Sequence, residues 1–355
     1  MSTARLLLPE WHPQDAVLLA WPHAATDWRP TLPSVTDVYL SLVAAIAPYE
    51  HVVIVTPEAL DLELRLRDTL PELPPRITIV ELPTNDTWIR DYGPISILRD
   101  SLPTMLDFRF DGWGGKFRAE LDNHATQDLF EQAVFNCAYQ DCDDFTLEGG
   151  SIETDGRGTL LTTSSCLLNP NRNPQFSREE IEQRLGFDLG IRRVLWLHNG
   201  ALAGDDTDGH IDMLARFTDT RTIVYTSCRD PQYPYYAELL EMERELRHFS
   251  SPDGTPYSLV PLPLPTTVSD QPASYTNYLI TNSSVLLPDY GDPDFPDIVC
   301  TMEKLFPGRA VVPVRANALI TQGGSIHCAT MQVPAGFLSN NLLPHTNLWH
   351  TSESA

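Results

Sequence analysis

The chain has 355 residues, 42% of them hydrophobic, enough apolar material for a large buried core and no compositional sign of disorder. Its 48 acidic residues against 24 basic ones give a formal net charge of −24, which argues against a polyanionic partner such as nucleic acid and concentrates small cations near the surface, although charge alone is better explained by solubility. The start, Met-Ser-Thr-Ala-Arg-Leu-Leu-Leu-Pro-Glu, has no apolar export region and no later stretch reaches the roughly 18 apolar residues of a membrane span, so a soluble cytoplasmic protein is expected, with no membrane partner.

Short β-type runs alternate with amphipathic stretches along the chain. Ala16–Trp21, the helix pattern Val35–Pro48 and Val52–Thr56 come first, followed by the helix pattern Ala59–Leu70 and Ile77–Leu82. Met105–Phe110 precedes a helical pattern over Ala119–Phe135; Thr159–Thr163 precedes Ser177–Leu185, where Ser177 and Glu180 are placed for a capping box, and Arg193–Leu197 follows. The series closes with Thr222–Thr226, the helix pattern Tyr235–Phe249, Tyr278–Leu287, the helix pattern Phe295–Phe306 and Val311–Val314. The 30 prolines gather in connectors such as Pro252–Pro265. No linker is long enough to mark a boundary, so one continuous α/β domain is expected over 1–340, with 341–355 a tail that carries no readable motif.

Two segments share the core Gly-Gly-Ser-Ile: Leu147-Glu-Gly-Gly-Ser-Ile152, headed by Glu148, and Gly323-Gly-Ser-Ile-His-Cys328. The echo hints at internal repeats. Glycines 323 and 324 let backbone approach a ligand closely and would place Cys328 just inside a strand, with His327 on the opposite face and so a poor base for it. A lone cysteine is more often inert than nucleophilic, and the six in this chain lack the spacing of a disulfide framework or zinc ribbon. In Gly204-Asp-Asp-Thr-Asp-Gly-His-Ile-Asp212, a strand over Gly209–Arg216 would turn His210 and Asp212 to one face, while Asp205, Asp206 and Asp208 add negative charge. His-x-Asp alone is more often a structural hydrogen-bonder. A metal site is the other rival, and no compact histidine and carboxylate cluster completes one.

The set of motifs decides between these. Pro9-Glu-Trp-His-Pro13, Asp86-Thr-Trp-Ile-Arg-Asp-Tyr-Gly-Pro94, Trp113-Gly-Gly-Lys116, the Glu148 segment, Cys166-Leu-Leu-Asn-Pro-Asn-Arg-Asn-Pro174, the His210 segment and the Cys328 segment resemble, in order, those of the agmatine deiminases, from about Leu8 to Pro334. The resemblance implies a guanidine-modifying fold, five ββαβ-like units in a pseudo-symmetric α/β propeller with the site on the axis. It implies Cys328 as nucleophile, His210 as general acid and base, Asp91 and Asp212 as clamps on the guanidinium, and Glu148 holding His210 and a substrate nitrogen. The reaction implied is hydrolysis of agmatine to N-carbamoylputrescine and ammonia, a polyamine-pathway step, through a covalent thiouronium and without metal or organic cofactor. Asp206 is the candidate acceptor for the substrate ammonium, with Trp88 and Trp113 beside the spacer. Ser325 stands where Asn is frequent in the family and Gln322 where Gly is common. Alternatives are a deiminase of C-terminal arginine in peptides and a non-catalytic binder of cationic ligands; a homo-oligomer is expected.

Overall fold

In the computed structural model, which describes residues 4–71, 76–268 and 270–343, the strands fall into five small sheets. Four of the five are built the same way: an antiparallel pair, then a strand that returns parallel to the second of them. Ile95–Arg99 and Leu102–Arg109 form a tight hairpin whose turn residues Asp100 and Ser101 both have positive φ, and Ala138–Thr146 then runs parallel to Leu102–Arg109. Arg5–Leu7 adds an antiparallel edge. The later sheets comprise Glu153–Thr154, Thr159–Thr163 and Arg193–Leu197; Ala215–Phe217, Thr222–Ser227 and Ser258–Pro263; and Leu279–Ile280, Ser284–Asp289 and Ala310–Arg315.

A parallel return needs a crossover, and the amphipathic stretches supply it. Helices Ala125–Glu131, Arg178–Leu189, Tyr236–His248 and Phe295–Leu305 each join the second strand of a pair to its parallel partner. The remaining sheet draws on both ends of the chain: Thr330–Pro334 lies antiparallel to Gln14–Ala20, which is followed by helix Leu32–Ile46, the parallel strand His51–Thr56, helix Ala59–Thr69 and Ile77–Glu81. Helix Leu32–Ile46 shows why the pattern works. Val35, Val38, Tyr39, Leu42, Val43 and Ile46 recur at three- and four-residue spacing and are all buried, at roughly 1.5–3 kcal/mol per large side chain. The Ser177–Glu180 capping box is formed, with Glu180 N donating to Ser177 Oγ and Ser177 N to Glu180 Oε2, and Gly190 ends that helix in the left-handed region.

Several expectations need correction. Tyr278–Leu287 is two strands of a hairpin, because Thr281 Oγ1 accepts from Ser284 N and turns the chain. Ala119–Phe135 is helical only from Ala125 to Glu131 after a short 3-10 turn, since the Asn123 and Asp122 side chains bond back to Phe110 and Asn85. Within the supposed connector Pro252–Pro265, Ser258–Pro263 is an edge strand; it pairs on one side only, so Pro261 and Pro263 lose no ladder bond. The expected tail lies outside the described residues from position 344 onward.

The five sheets share one further feature. The segment just ahead of each antiparallel pair contains, in order, Asp91, Glu148 to Gly150, His210 to Asp212, Asn277 and Cys328. Residues distant in sequence thus occupy equivalent places in five similar units.

Candidate active site

Asp91 sits in the one-turn helix Ile89–Tyr92 and is held at both oxygens, with Trp113 Nε1 donating to Oδ2 at 2.9 Å and Gly150 N to Oδ1 at 2.9 Å. Trp113 adopts φ 58° and ψ 49°, a strained conformation for a bulky residue, fixed by Asp111 accepting from Gly114 N at 2.7 Å. Burial pushes the Asp91 carboxyl up to about 6, against the opposing pull of His210 and with help from the charges of Asp212 and Glu148.

His210 is buried between carboxylates, Nδ1 3.5 Å from Asp91 Oδ1 and Nε2 3.5 Å from Glu148 Oε2, with neither nitrogen in a formed hydrogen bond. Burial disfavours its cationic form, but Asp91, Cys166 and Glu148 outweigh that and raise the imidazole well above its ordinary value. Gly150 makes the convergence possible. A Cβ there would lie 2.6 Å from His210 Nδ1, 2.8 Å from Asp91 Oδ1 and 3.2 Å from Asp212 Oδ2. The expected strand over Gly209–Arg216 is not formed: Asp205 accepts from Thr207 and Gly209 backbone N–H groups, His210 leads into a 3-10 turn at Ile211–Met213, and only Ala215–Phe217 is strand.

Glu148 has no exposure and its two oxygens accept from Arg172 Nε at 2.9 and 2.8 Å. Burial alone would raise its carboxyl, but His210 and Arg172 hold it below the ordinary value. Among the described residues, Glu148, Cys166 and His210 bring donor atoms suited to a metal within 4.8 Å of one another. Arg172 already neutralises that carboxylate, an arrangement that requires no further cation.

Cys328 lies in a turn ahead of Thr330–Pro334, not inside the strand as expected, because Ala329 N bonds Ser325 O and Thr330 N bonds His327 O. Its Sγ accepts from Asn277 Nδ2 at 3.1 Å and lies 3.5 Å from Asp212 Oδ2. Burial, then the charges of Asp212 and Asp91, raises the thiol well above its usual range. His327, expected on an opposite face, instead packs behind the site with Nδ1 2.7 Å from Asp212 Oδ2. Burial would raise the Asp212 carboxyl, yet His327 and His210 keep it low.

A cavity of about 220 Å³ opens onto this group, lined by Cys328, His210, Asp91, Trp88, Trp113 and Phe117, with Asp27, Asp86 and Asp206 also on its wall. Glu148 and Asp212 stand behind that lining. Gly324 presses on the Trp88 ring, where a Cβ would meet ring carbons at 2.5 Å. Of the acidic run beside His210, Asp208 is paired with Arg172 and Lys116 and Asp205 serves the turn, so Asp206 alone presents its carboxylate to the cavity. Burial and the neighbouring Asp205 raise Asp206; burial raises Asp86 to about 7, with Asp27 and Asp206 adding to it. Sequence reasoning missed Asn277, Arg172, Asp27 and the site-facing contact of His327.

The sequence profile of the Porphyromonas-type peptidyl-arginine deiminases matches residues 6–334. The chain is 32% identical to an agmatine deiminase of Stutzerimonas stutzeri, covering 93% of this chain and 95% of that one. A C. jejuni agmatine deiminase solved with substrate bound is similar at 33% identity and TM-score 0.86, over 93% of this chain and 96% of that one. A structure described as a putative arginine deiminase from Porphyromonas gingivalis is similar at 48% identity and TM-score 0.88, over 94% and 99%.

Proposed function

Because the chain belongs to the Porphyromonas-type peptidyl-arginine deiminase family, we propose that it hydrolyses agmatine to N-carbamoylputrescine and ammonia. The observation that carries this is a thiol, an imidazole and two carboxylates converging at one end of a cavity whose wall bears three further carboxylates. In this reading Asp91 and Asp212 grip the planar guanidinium by charge-assisted hydrogen bonds and set its central carbon against Cys328. Burial, then the charges of Asp212 and Asp91, holds the thiol neutral; the cation offsets those charges, so substrate binding itself favours thiolate, the thiol proton passing to solvent.

Attack then forms the S–C bond and a tetrahedral adduct. Protonated His210 gives its proton to the departing nitrogen, the C–N bond breaks and ammonia leaves, with a thiouronium on Cys328. His210, now neutral, takes a proton from water as the hydroxide adds to that carbon; the C–S bond then breaks as the adduct's hydroxyl proton passes to solvent, and the neutral ureido product leaves the thiolate behind. Glu148, tied to Arg172, keeps His210 oriented, and Asn277 stabilises the sulfur anion by its amide N–H.

The acidic mouth favours a substrate ending in an ammonium, with Asp206 as its main acceptor beside Asp27 and Asp86, and Trp88 and Trp113 flanking the spacer. An arginine α-carboxylate would need a cation there, and Lys116 is already engaged by Asp208 and by the Asp206 carbonyl. Arginine at a peptide end is nevertheless a second reading, favoured by the match to the Porphyromonas-type peptidyl-arginine deiminase family. Measuring ureido product from agmatine, free arginine and a C-terminal-arginine peptide tests both; conversion of none of the three would leave a cationic-ligand binder and refute the enzymatic reading. The equivalent placement of site residues ahead of five similar pairs supports an α/β propeller with residues 1–340 as one domain. A cytoplasmic homo-oligomer acting in polyamine synthesis, without a nucleic-acid or membrane partner, completes the proposal; no helix among the described residues is long and apolar enough to cross a membrane.

A further inference from the structure

Behind the cavity a continuous line of buried ionic contacts ends on Asp212, and its other members take no part in the reaction above. Glu153 Oε2 lies 2.7 Å from Arg216 Nε, Arg216 Nη2 2.6 Å from Glu10 Oε2, Glu10 Oε2 2.7 Å from His327 Nε2, and His327 Nδ1 2.7 Å from Asp212 Oδ2. All five side chains are nearly or wholly excluded from solvent. An ionised carboxylate can only accept, so the His327 ring is placed to donate to a carboxylate from each nitrogen. The two oxygens of Asp212 are treated differently. Oδ2 receives the His327 bond, whereas Oδ1 is buried without a hydrogen-bond partner.

Resting on the reading of Asp212 as a guanidinium clamp, we propose that His327 is a positioning residue: anchored by Glu10, it holds Asp212 charged and in one rotamer for the guanidinium, with Oδ2 3.5 Å from the Cys328 sulfur and Oδ1 free of any other partner. The groups facing Asp212 are His327 and Cys328 from the turn before the last strand, His210 from its own loop, Asp91 and Arg90 from the Ile89–Tyr92 turn, and Arg216 from Ala215–Phe217. Burial favours the neutral acid, and among the groups that oppose it His327 is foremost. Removing His327 therefore moves protonation of Asp212 to higher pH. A side chain that merely filled space would not move it.

The test is the preference of the Cys328 thiol for 2-chloroacetamidine, an amidinium that needs the clamp, over neutral 2-chloroacetamide, read by mass spectrometry in wild type, His327→Gln and Glu10→Gln. Below its midpoint the charged fraction of a carboxylate falls with pH, so between about pH 8.5 and about pH 6 the His327→Gln preference should drop at least several-fold while that of wild type holds. Glu10→Gln should change the preference in the same direction by less. A preference within about twofold of wild type at the lower pH, or one lowered equally at every pH, overturns the proposal. Should His327→Gln fail to fold by circular dichroism, Glu10→Gln is judged by the same two criteria. Alkylation needs no turnover: wild type that prefers the amidinium but leaves agmatine intact refutes the substrate reading and not this one, whereas wild type without the preference overturns the clamp and this inference together.

Discussion

Gly150→Ala is the most economical test of the site, because it adds one carbon and removes nothing. The new Cβ would stand 2.6 Å from His210 Nδ1 and 2.8 Å from Asp91 Oδ1, and both groups belong to the buried centre. To reach an ordinary contact the imidazole must retreat by roughly 0.8 Å, and a misplacement near 1 Å costs on the order of 100-fold in rate. That corresponds to about 2.7 kcal/mol of transition-state stabilisation. Gly150 is outside the left-handed region, so backbone strain does not confuse the result, and its N–H continues to serve Asp91. Overpacking costs about 1–3 kcal/mol of stability, partly offset by about 0.4–1 kcal/mol from the stiffer unfolded chain. The assay is kcat/KM for agmatine with a thermal melt alongside. A variant retaining kcat/KM within about threefold of wild type would refute the convergence of these groups at the reacting centre.

Cys328→Ser should abolish turnover with the fold intact, since a hydroxyl ionises far less readily than a thiol; activity within about tenfold of wild type would remove Cys328 from the nucleophile role. Asp206→Asn should raise KM for agmatine while leaving a guanidine with an uncharged tail of equal length little affected; equal damage to both would assign the ammonium contact to Asp27 or Asp86 instead. Asp122, fully buried and accepting from the backbone of Asn85 and Asp86, has its carboxyl pushed up to about 8 by burial. The folded state thus holds this proton more tightly than the unfolded chain, and Asp122 makes stability fall as pH rises from about 4 through about 8. Asp122→Asn should flatten the dependence of Tm on pH over about 5–8, and an unchanged slope would show that Asp122 is already ionised there.

Local patterns carried much of this protein into view. The crossover helices were legible because Leu32–Ile46 and its counterparts bury one stripe and expose the rest, and the capping box at Ser177 needs only three residues of context. Cys328, His210 and Glu148 stood out as candidates through the ordered set of motifs, the glycines beside them alone being too weak a signal. What stayed hidden depends on distant partners. Nothing near Asn277 announces that it meets a sulfur, and the strand assigned to Gly209–Arg216 failed because a single side chain, Asp205, competes for the backbone. His327 was misplaced by the assumption of strand geometry: in a turn, adjacent residues need not face opposite ways, and both it and Cys328 reach Asp212. Short strands such as Ala215–Phe217 have too few residues to display a period.

The sheet shared by the two ends of the chain bears on synthesis. Glu10 and His327 are 317 positions apart, and the strand that follows Cys328 pairs with Gln14–Ala20. During translation the earlier units can collapse as they emerge, each from contacts close in sequence, but the first sheet lacks its partner strand until the last unit has left the ribosome. The Cys328 thiol itself appears after Asp91, Glu148 and His210. A nascent or truncated chain can therefore gather Asp91, Glu148 and His210 without Cys328, so chemical competence arrives in one step, when the segment that carries Cys328 docks on Gln14–Ala20.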